Sequence, residues 1–135
     1  MYQNSRTASN KLKNRFGNIL PKELYRPVLM CDSKDMGGYF NAVLTPSFRK
    51  RNQDIITQLP LPTTVVDFWR LITQMKVSLV FAFEEHLQAT DSTIGKYLPA
   101  SETEKSSFPP FQVSMGTWHQ GSHWEERNLF VTGTN

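Results

Sequence analysis

Val65, Phe68, Trp69 and Ile72 stand at i, i+3, i+4 and i+7, the spacing that gathers apolar side chains on one face of an α-helix. Thr63 and Thr64 offer N-cap hydroxyls, and Asp67 lies close to the positive end of the segment. A helix is therefore predicted over 63–75, with Trp69 in the core and Arg70 nearer the surface. Before it, 54–58 is rich in β-branched residues and reads as a strand that Pro60 and Pro62 end. After it, 77–83 is almost continuously apolar, as a strand covered on both faces would be. Strand, helix and strand in this order predict a βαβ unit with a right-handed crossover.

The flanks are less regular. Residues 1–13 are polar and read as loose, or helical only in a larger context. The stretch 18–27 is rich in turn residues, and 28–31 and 39–44 are short apolar runs that read as two strands joined by a flexible loop. Residues 46–53 form a basic connection and 100–107 a solvated loop. Two further strands, antiparallel, are expected at 111–115 and 128–132, with 116–122 between them.

Composition narrows the class. With 135 residues, 39% of them hydrophobic and nine Phe among them, the chain can pack a core but has no room for two of ordinary size. The net charge of +3 is mild, and two short basic clusters, at 11–15 and 49–51, hold six of the fifteen Lys and Arg. A nucleic-acid binder would show a sustained basic stripe with interleaved aromatics, so no nucleic-acid partner is expected. One cysteine, Cys31, excludes an internal disulfide and suits a reducing compartment. No stretch approaches the roughly 18 apolar residues of a membrane span, and the polar N-terminus is not a signal peptide. The expectation is a cytoplasmic chain, one that is also compatible with being the intracellular part of a membrane receptor.

Candidate chemistry is sparse. His119 and His123 lie four apart with Glu125, Glu126, Glu85 and His86 as further donors. Gly116, Gly121 and Ser122 argue against the helix that a shared metal would need, so exposed loop histidines and no metal are expected. Cys31 follows three apolar residues and has Lys34 as its one local cation, too little to activate a thiol. Gly37-Gly38 is isolated and followed by no Lys-Ser or Lys-Thr, and there is no Gly-x-Ser-x-Gly elbow. No catalytic residue and no cofactor are assigned.

Three segments, read together, resemble the tyrosine-specific protein phosphatases. Asn10-Lys11-Leu12-Lys13-Asn14-Arg15-Phe16 is similar to the family's Asn-x-x-Lys-Asn-Arg-Tyr loop, which helps set the depth of the phosphotyrosine pocket. Tyr39-Phe40-Asn41-Ala42 is similar to Tyr-Ile-Asn-Ala. The run from Thr57-Gln58-Leu59-Pro60-Leu61-Pro62 through Asp67-Phe68-Trp69-Arg70 resembles Thr-Gln-Gly-Pro-Leu-Pro-Asn-Thr-Val-x-Asp-Phe-Trp-Arg. Tyr97-Leu98-Pro99 and the stretch 127–132 are fainter echoes, of Tyr-Trp-Pro and Arg-x-Phe-x-Val.

The resemblance implies an α/β fold, a truncated tyrosine-phosphatase fold with a twisted mixed sheet and flanking helices. It implies a polar extension over 1–9 and a partial phosphatase domain over 10–135. Asn14, Arg15 and Phe16 would be a vestigial substrate-recognition loop, Phe16 keeping the family's ring without its hydroxyl. Tyr39, Asn41, Gln58, Pro60, Asp67, Phe68 and Trp69 would be structural motif residues. Two family elements have no counterpart: the His-Cys-x5-Arg loop, whose thiolate attacks phosphorus, and the Trp-Pro-Asp that protonates the leaving phenolate. Six residues after Cys31 comes Gly37, not Arg. Phe16 in the place of the motif Tyr and Leu59 in the place of the motif Gly resemble the second, membrane-distal domains of receptor-type members, most nearly those of the meprin-domain-containing branch. The expected role is a non-catalytic, pseudophosphatase-like part acting through protein–protein contact, its partners a catalytic phosphatase domain or a phosphotyrosine protein. The alternative is a phosphotyrosine hydrolase whose Cys-x5-Arg half lies outside these residues.

Overall fold

In the computed structural model, residues 2–31, 38–48, 54–83 and 91–133 are described. They fall into two units, Met1–Gly95 and Lys96–Asn135. The first unit carries a short helix α1 (Ala8–Lys11), strands β1 (Ala42–Thr45) and β2 (Asp54–Thr57), and helix α2 (Val65–Gln74). Single 3-10 turns lie at Asn4–Arg6 and Glu23–Tyr25. The second unit is a three-stranded antiparallel sheet, β3 (Lys105–Phe108), β4 (Phe111–Gln120) and β5 (Glu125–Gly133), in that order. Among the described residues no helix is long and apolar enough to cross a membrane.

Helix α2 forms where its periodicity places it, and buries Val65, Phe68, Trp69 and Leu71. Leu71 takes the fully buried place expected of Ile72, which is half-buried. Phe68 is the hinge of the aromatic core: its ring lies 5.2 Å from that of Trp69 and 6.4 Å from that of Phe40, just ahead of β1. Asp67 is buried as well, because Lys13 (2.9 Å) and Arg70 (2.8 Å) neutralise it from two sides. Arg70 is therefore largely enclosed rather than at the surface. At the N-terminus, Thr64 makes no side-chain cap. Its hydroxyl turns back instead, accepting from the Leu61 N–H at 2.9 Å and so fixing the preceding turn. The helix ends in a Schellman arrangement: the Val77 N–H reaches the Ile72 carbonyl and the Lys76 N–H that of Thr73. Lys76 holds the left-handed position with φ 52°.

Several sequence expectations change at this point. Beyond α2, 77–83 forms no strand, and Phe81 and Phe83 are 75% and 94% exposed. An apolar run supplies no ladder by itself; it needs a neighbouring strand, and among the described residues β2 pairs with β1 alone. The βαβ unit is thus absent, and all described pairings are antiparallel, although the α/β content stands. Residues 28–31 are likewise no strand: the Leu29 N–H donates to the Gly38 carbonyl at 3.2 Å, and no ladder extends from that bond. The approach there is so close that a Cβ on Gly38 would sit 1.9 Å from the Leu29 oxygen. The joining loop, 32–37, and most of the basic connection, 49–53, lie outside the described residues, as do Glu85 and His86.

In the second unit both predicted strands form and run further than expected. Strand β4 continues through Gly116 to Gln120, with a bulge between Met115 and Trp118. Residues 105–108 are not loop but the edge strand β3. Phe111, Val113 and Met115 alternate inward with polar neighbours between them. His119 lies on β4 opposite Glu126, not in a loop, and His123 in the following turn shares a 2.8 Å hydrogen bond with Ser122.

Candidate recognition loop

The segment after α1 coils on for one more turn, with the Lys13 N–H on the Asn10 carbonyl (3.0 Å) and the Asn14 N–H on the Lys11 carbonyl (3.3 Å). The Asn14 side chain then becomes the centre of the first unit's polar network. Its Nδ2 donates to the carbonyls of Ser5 (3.1 Å) and Asn10 (3.0 Å). Its Oδ1 accepts from the Tyr39 hydroxyl (2.5 Å) and from Asn41 Nδ2 (3.0 Å). A primary amide offers two donors and two acceptor sites, and all four are used.

The β1–β2 ladder supplies the next brace. Ala42 pairs with Thr57, and the Gln58 N–H reaches the Asn41 carbonyl (3.4 Å), which sets Asn41 and Gln58 side by side at the ladder's end. Gln58 holds the backbone on either side of Asn14: its Nε2 donates to the Lys13 carbonyl (2.8 Å), and its Oε1 accepts from the Arg15 N–H (2.9 Å). Asn41 Nδ2 also reaches the Ile19 carbonyl, 2.9 Å away, and so ties down the far side of the loop. Helix α2 contributes Asp67 to Lys13. The loop thus enters and leaves under restraint from three sequence segments distant along the chain.

At the tip, Arg15 donates to Asp91 Oδ2 at 2.5 Å, and its guanidinium carbon lies 5.5 Å from the centre of the Phe16 ring, within cation–π range. Phe16 is 52% exposed. Asp91 also accepts from the Thr93 hydroxyl and N–H; these bonds, with Arg15 beyond them, hold its carboxyl below the usual range. Burial pushes the Tyr39 hydroxyl up, the Asn14 bond only partly offsetting it, so it remains a donor. Under Tyr39, Arg26 lies 5.3 Å from the ring centre and donates to the Gly38 carbonyl and to Glu23.

Of the residues singled out in the sequence, Asn14, Arg15, Tyr39, Asn41, Gln58 and Asp67 meet here in one network, and Phe16 stands at its exposed tip. Phe68 and Trp69 belong to the core. Pro60 acts through its backbone, its carbonyl accepting the Gly95 N–H at 2.7 Å. Lys13 and Arg26 belong to the segment that carries the resemblance, but their contacts with Asp67 and Glu23, and the part of Asp91, were not foreseen from the sequence. Their partners carry opposite charges, but pairs such as Lys13–Asp67 and Arg15–Asp91 share no local spacing that would mark them. Chemically the arrangement presents an aromatic ring beside a cation on a braced backbone. Its carboxylates, Asp67 and Asp91, are each engaged with a cation of the loop.

The family model described as protein-tyrosine phosphatase matches residues 10–135. Receptor-type tyrosine-protein phosphatase eta of Mus musculus is 29% identical over 124 residues, 92% of this chain and 10% of that protein. Receptor-type tyrosine-protein phosphatase F of Rattus norvegicus is 33% identical over 104 residues, 76% of the chain and 6% of that protein. The Danio rerio form of the latter is 32% identical over 115 residues, again 6% of its length. The chain spans a tenth or less of these curated relatives.

Proposed function

The chain belongs to the protein-tyrosine phosphatase family, and from that membership we propose that it is a non-catalytic, pseudophosphatase-like part of a receptor-type member, acting through protein–protein contact. One observation carries the reading: the single cysteine of these 135 residues, Cys31, is followed at the sixth position by Gly37, so the family's Cys-x5-Arg pattern, which pairs the nucleophilic thiolate with a phosphoryl-binding arginine, does not occur within them. Residues 10–135 are then a partial phosphatase domain behind a short extension, 1–9, and work on the cytoplasmic side of a membrane receptor. Asn14, Arg15 and Phe16 form a vestigial recognition loop, and Tyr39, Asn41, Gln58 and Asp67 hold its shape. The partner is a phosphotyrosine protein or a catalytic phosphatase domain.

The purified chain is expected to turn over neither a chromogenic aryl phosphate nor a phosphotyrosine peptide. Turnover above a control preparation that disappears in Cys31→Ser would overturn the proposal. The completeness of the brace around Asn14 favours a second reading, a hydrolase whose catalytic loop follows these residues. Reading the coding sequence past residue 135 separates the two: Trp-Pro-Asp and His-Cys-x5-Arg there favour the hydrolase.

A further inference from the structure

Asn14, Gln58 and Asp67 fix the backbone and entry of the recognition loop, but none of them touches its tip. The Phe16 ring is half-exposed, and the contact shown on it is the Arg15 guanidinium, 5.5 Å from the ring centre. Arg15 is an unbranched side chain with several rotamers; left to itself over a half-exposed ring it would sample many of them. Here it is anchored at 2.5 Å by Asp91, a residue 76 positions away. Asp91 is itself fixed, since its other carboxylate oxygen accepts both the N–H (2.9 Å) and the hydroxyl (2.5 Å) of Thr93. Lys13, two residues before Arg15, is turned to Asp67 instead. The Arg15 charge acts on Asp91.

We infer that Asp91 is a positioning residue for the tip of the recognition loop: by holding the Arg15 guanidinium over Phe16 it sets the orientation in which that ring meets an aromatic ligand. The inference rests on the reading of residues 14–16 as a recognition loop. A phenol stacked on Phe16 would meet a ring already fixed on one side, so less rotamer freedom is lost on contact. Protonating Asp91 removes the charge that holds Arg15 and frees the tip. Because the Thr93 bonds favour the carboxylate, this release falls below the ordinary aspartate range.

The readout is the upfield ring-current shift that Phe16 imposes on the Arg15 side-chain protons, followed by NMR on the 135-residue chain. The wild-type protein should show the shift at neutral pH and lose it on acidification. Asp91→Ala should lack it at every pH, Asp91→Asn should make it independent of acid, and Asp91→Glu should restore at least part of it. Retention of the full shift in Asp91→Ala, or an unchanged acid profile in Asp91→Asn, would overturn the inference. Methyl signals of buried Leu71 in the same spectra report folding; should Asp91→Ala unfold, the Asp91→Asn acid profile decides. Titration with phenyl phosphate separates the two proposals. A shift that depends on Asp91 but is indifferent to phenyl phosphate upholds the positioning role and removes the recognition reading.

Discussion

Replacing Asn14 by Ala removes an amide whose two donors and two acceptor sites are all engaged, at 2.5 to 3.1 Å, with Ser5, Asn10, Tyr39 and Asn41. A hydrogen bond of this kind contributes a net ~0.5–1.5 kcal/mol, and a polar group left buried and unmade costs ~1–3 kcal/mol. Tyr39 is the group most exposed to that penalty: it is 2% accessible, and its hydroxyl has Asn14 as its hydrogen-bond partner among the described residues. Asn41 keeps the Ile19 carbonyl, and of the two backbone carbonyls that of half-buried Asn10 lies nearer water than that of Ser5, a residue 1% accessible. The expected loss is therefore about 3–5 kcal/mol, below the sum of four independent bonds. Tyr39→Phe deletes the hydroxyl together with its bond and should cost only about 1 kcal/mol. Asn14→Asp, nearly the same shape, should fare no better than Ala, because a carboxylate would face the Ser5 and Asn10 carbonyls with nothing to donate. Urea unfolding of the three variants, followed by tryptophan fluorescence, measures the differences. An Asn14→Ala loss below about 1 kcal/mol, or no larger than that of Tyr39→Phe, would show that the network is not what shapes the loop.

Trp69→Ala should cost about 3–5 kcal/mol through the cavity beside Phe68, and Arg70→Ala about 1–3 kcal/mol, since Asp67 keeps Lys13 alone; urea midpoints should rank them in that order. Lys76→Gly should raise stability by roughly 0.5–1 kcal/mol, relief of the left-handed strain being partly offset by the greater freedom of glycine in the unfolded chain; a lower thermal midpoint would contradict this. For Glu23, burial pushes the carboxyl up, but hydrogen bonds from Arg26 and Asn4 outweigh it and leave the group below its ordinary value of 4.5. The folded state then binds fewer protons than the unfolded, so Glu23 stabilises the fold above about pH 4.5 and that contribution disappears as pH falls through the depressed folded value. Unfolding midpoints taken from neutral pH to about pH 3 should fall less steeply in Glu23→Gln than in the wild-type chain.

How much of this could be read from the sequence follows from where each signal is stored. Helix α2 and strands β2, β4 and β5 were legible because their patterns are local: a 3.6-residue period, a β-branched run, an alternation of apolar and polar positions. Asn14, Arg15 and Phe16 were legible through motif resemblance, yet the contacts that hold them were not. Arg15 meets Asp91 and Lys13 meets Asp67 across 76 and 54 positions, and no spacing rule links charges so far apart. Thr64 shows a subtler limit. The sequence rightly gives it a hydroxyl at the helix start, but the Leu61 N–H lies within reach of the same oxygen, and a hydroxyl satisfied by the preceding turn leaves the helix uncapped. Residues 77–83 mark the sharpest boundary. Their apolar run states that the segment can be buried, and burial is a property of what surrounds it. The Schellman turn at Lys76 ends the helix, but a strand exists only when another backbone accepts and donates along its length. Among the described residues no strand pairs with 77–83, so the segment that reads as the best-covered strand in the sequence stands exposed from residue 78 to residue 83, with Val77 half-buried. The hydrophobic pattern is thus a statement about the neighbours a segment requires, and it becomes secondary structure only where those neighbours are present.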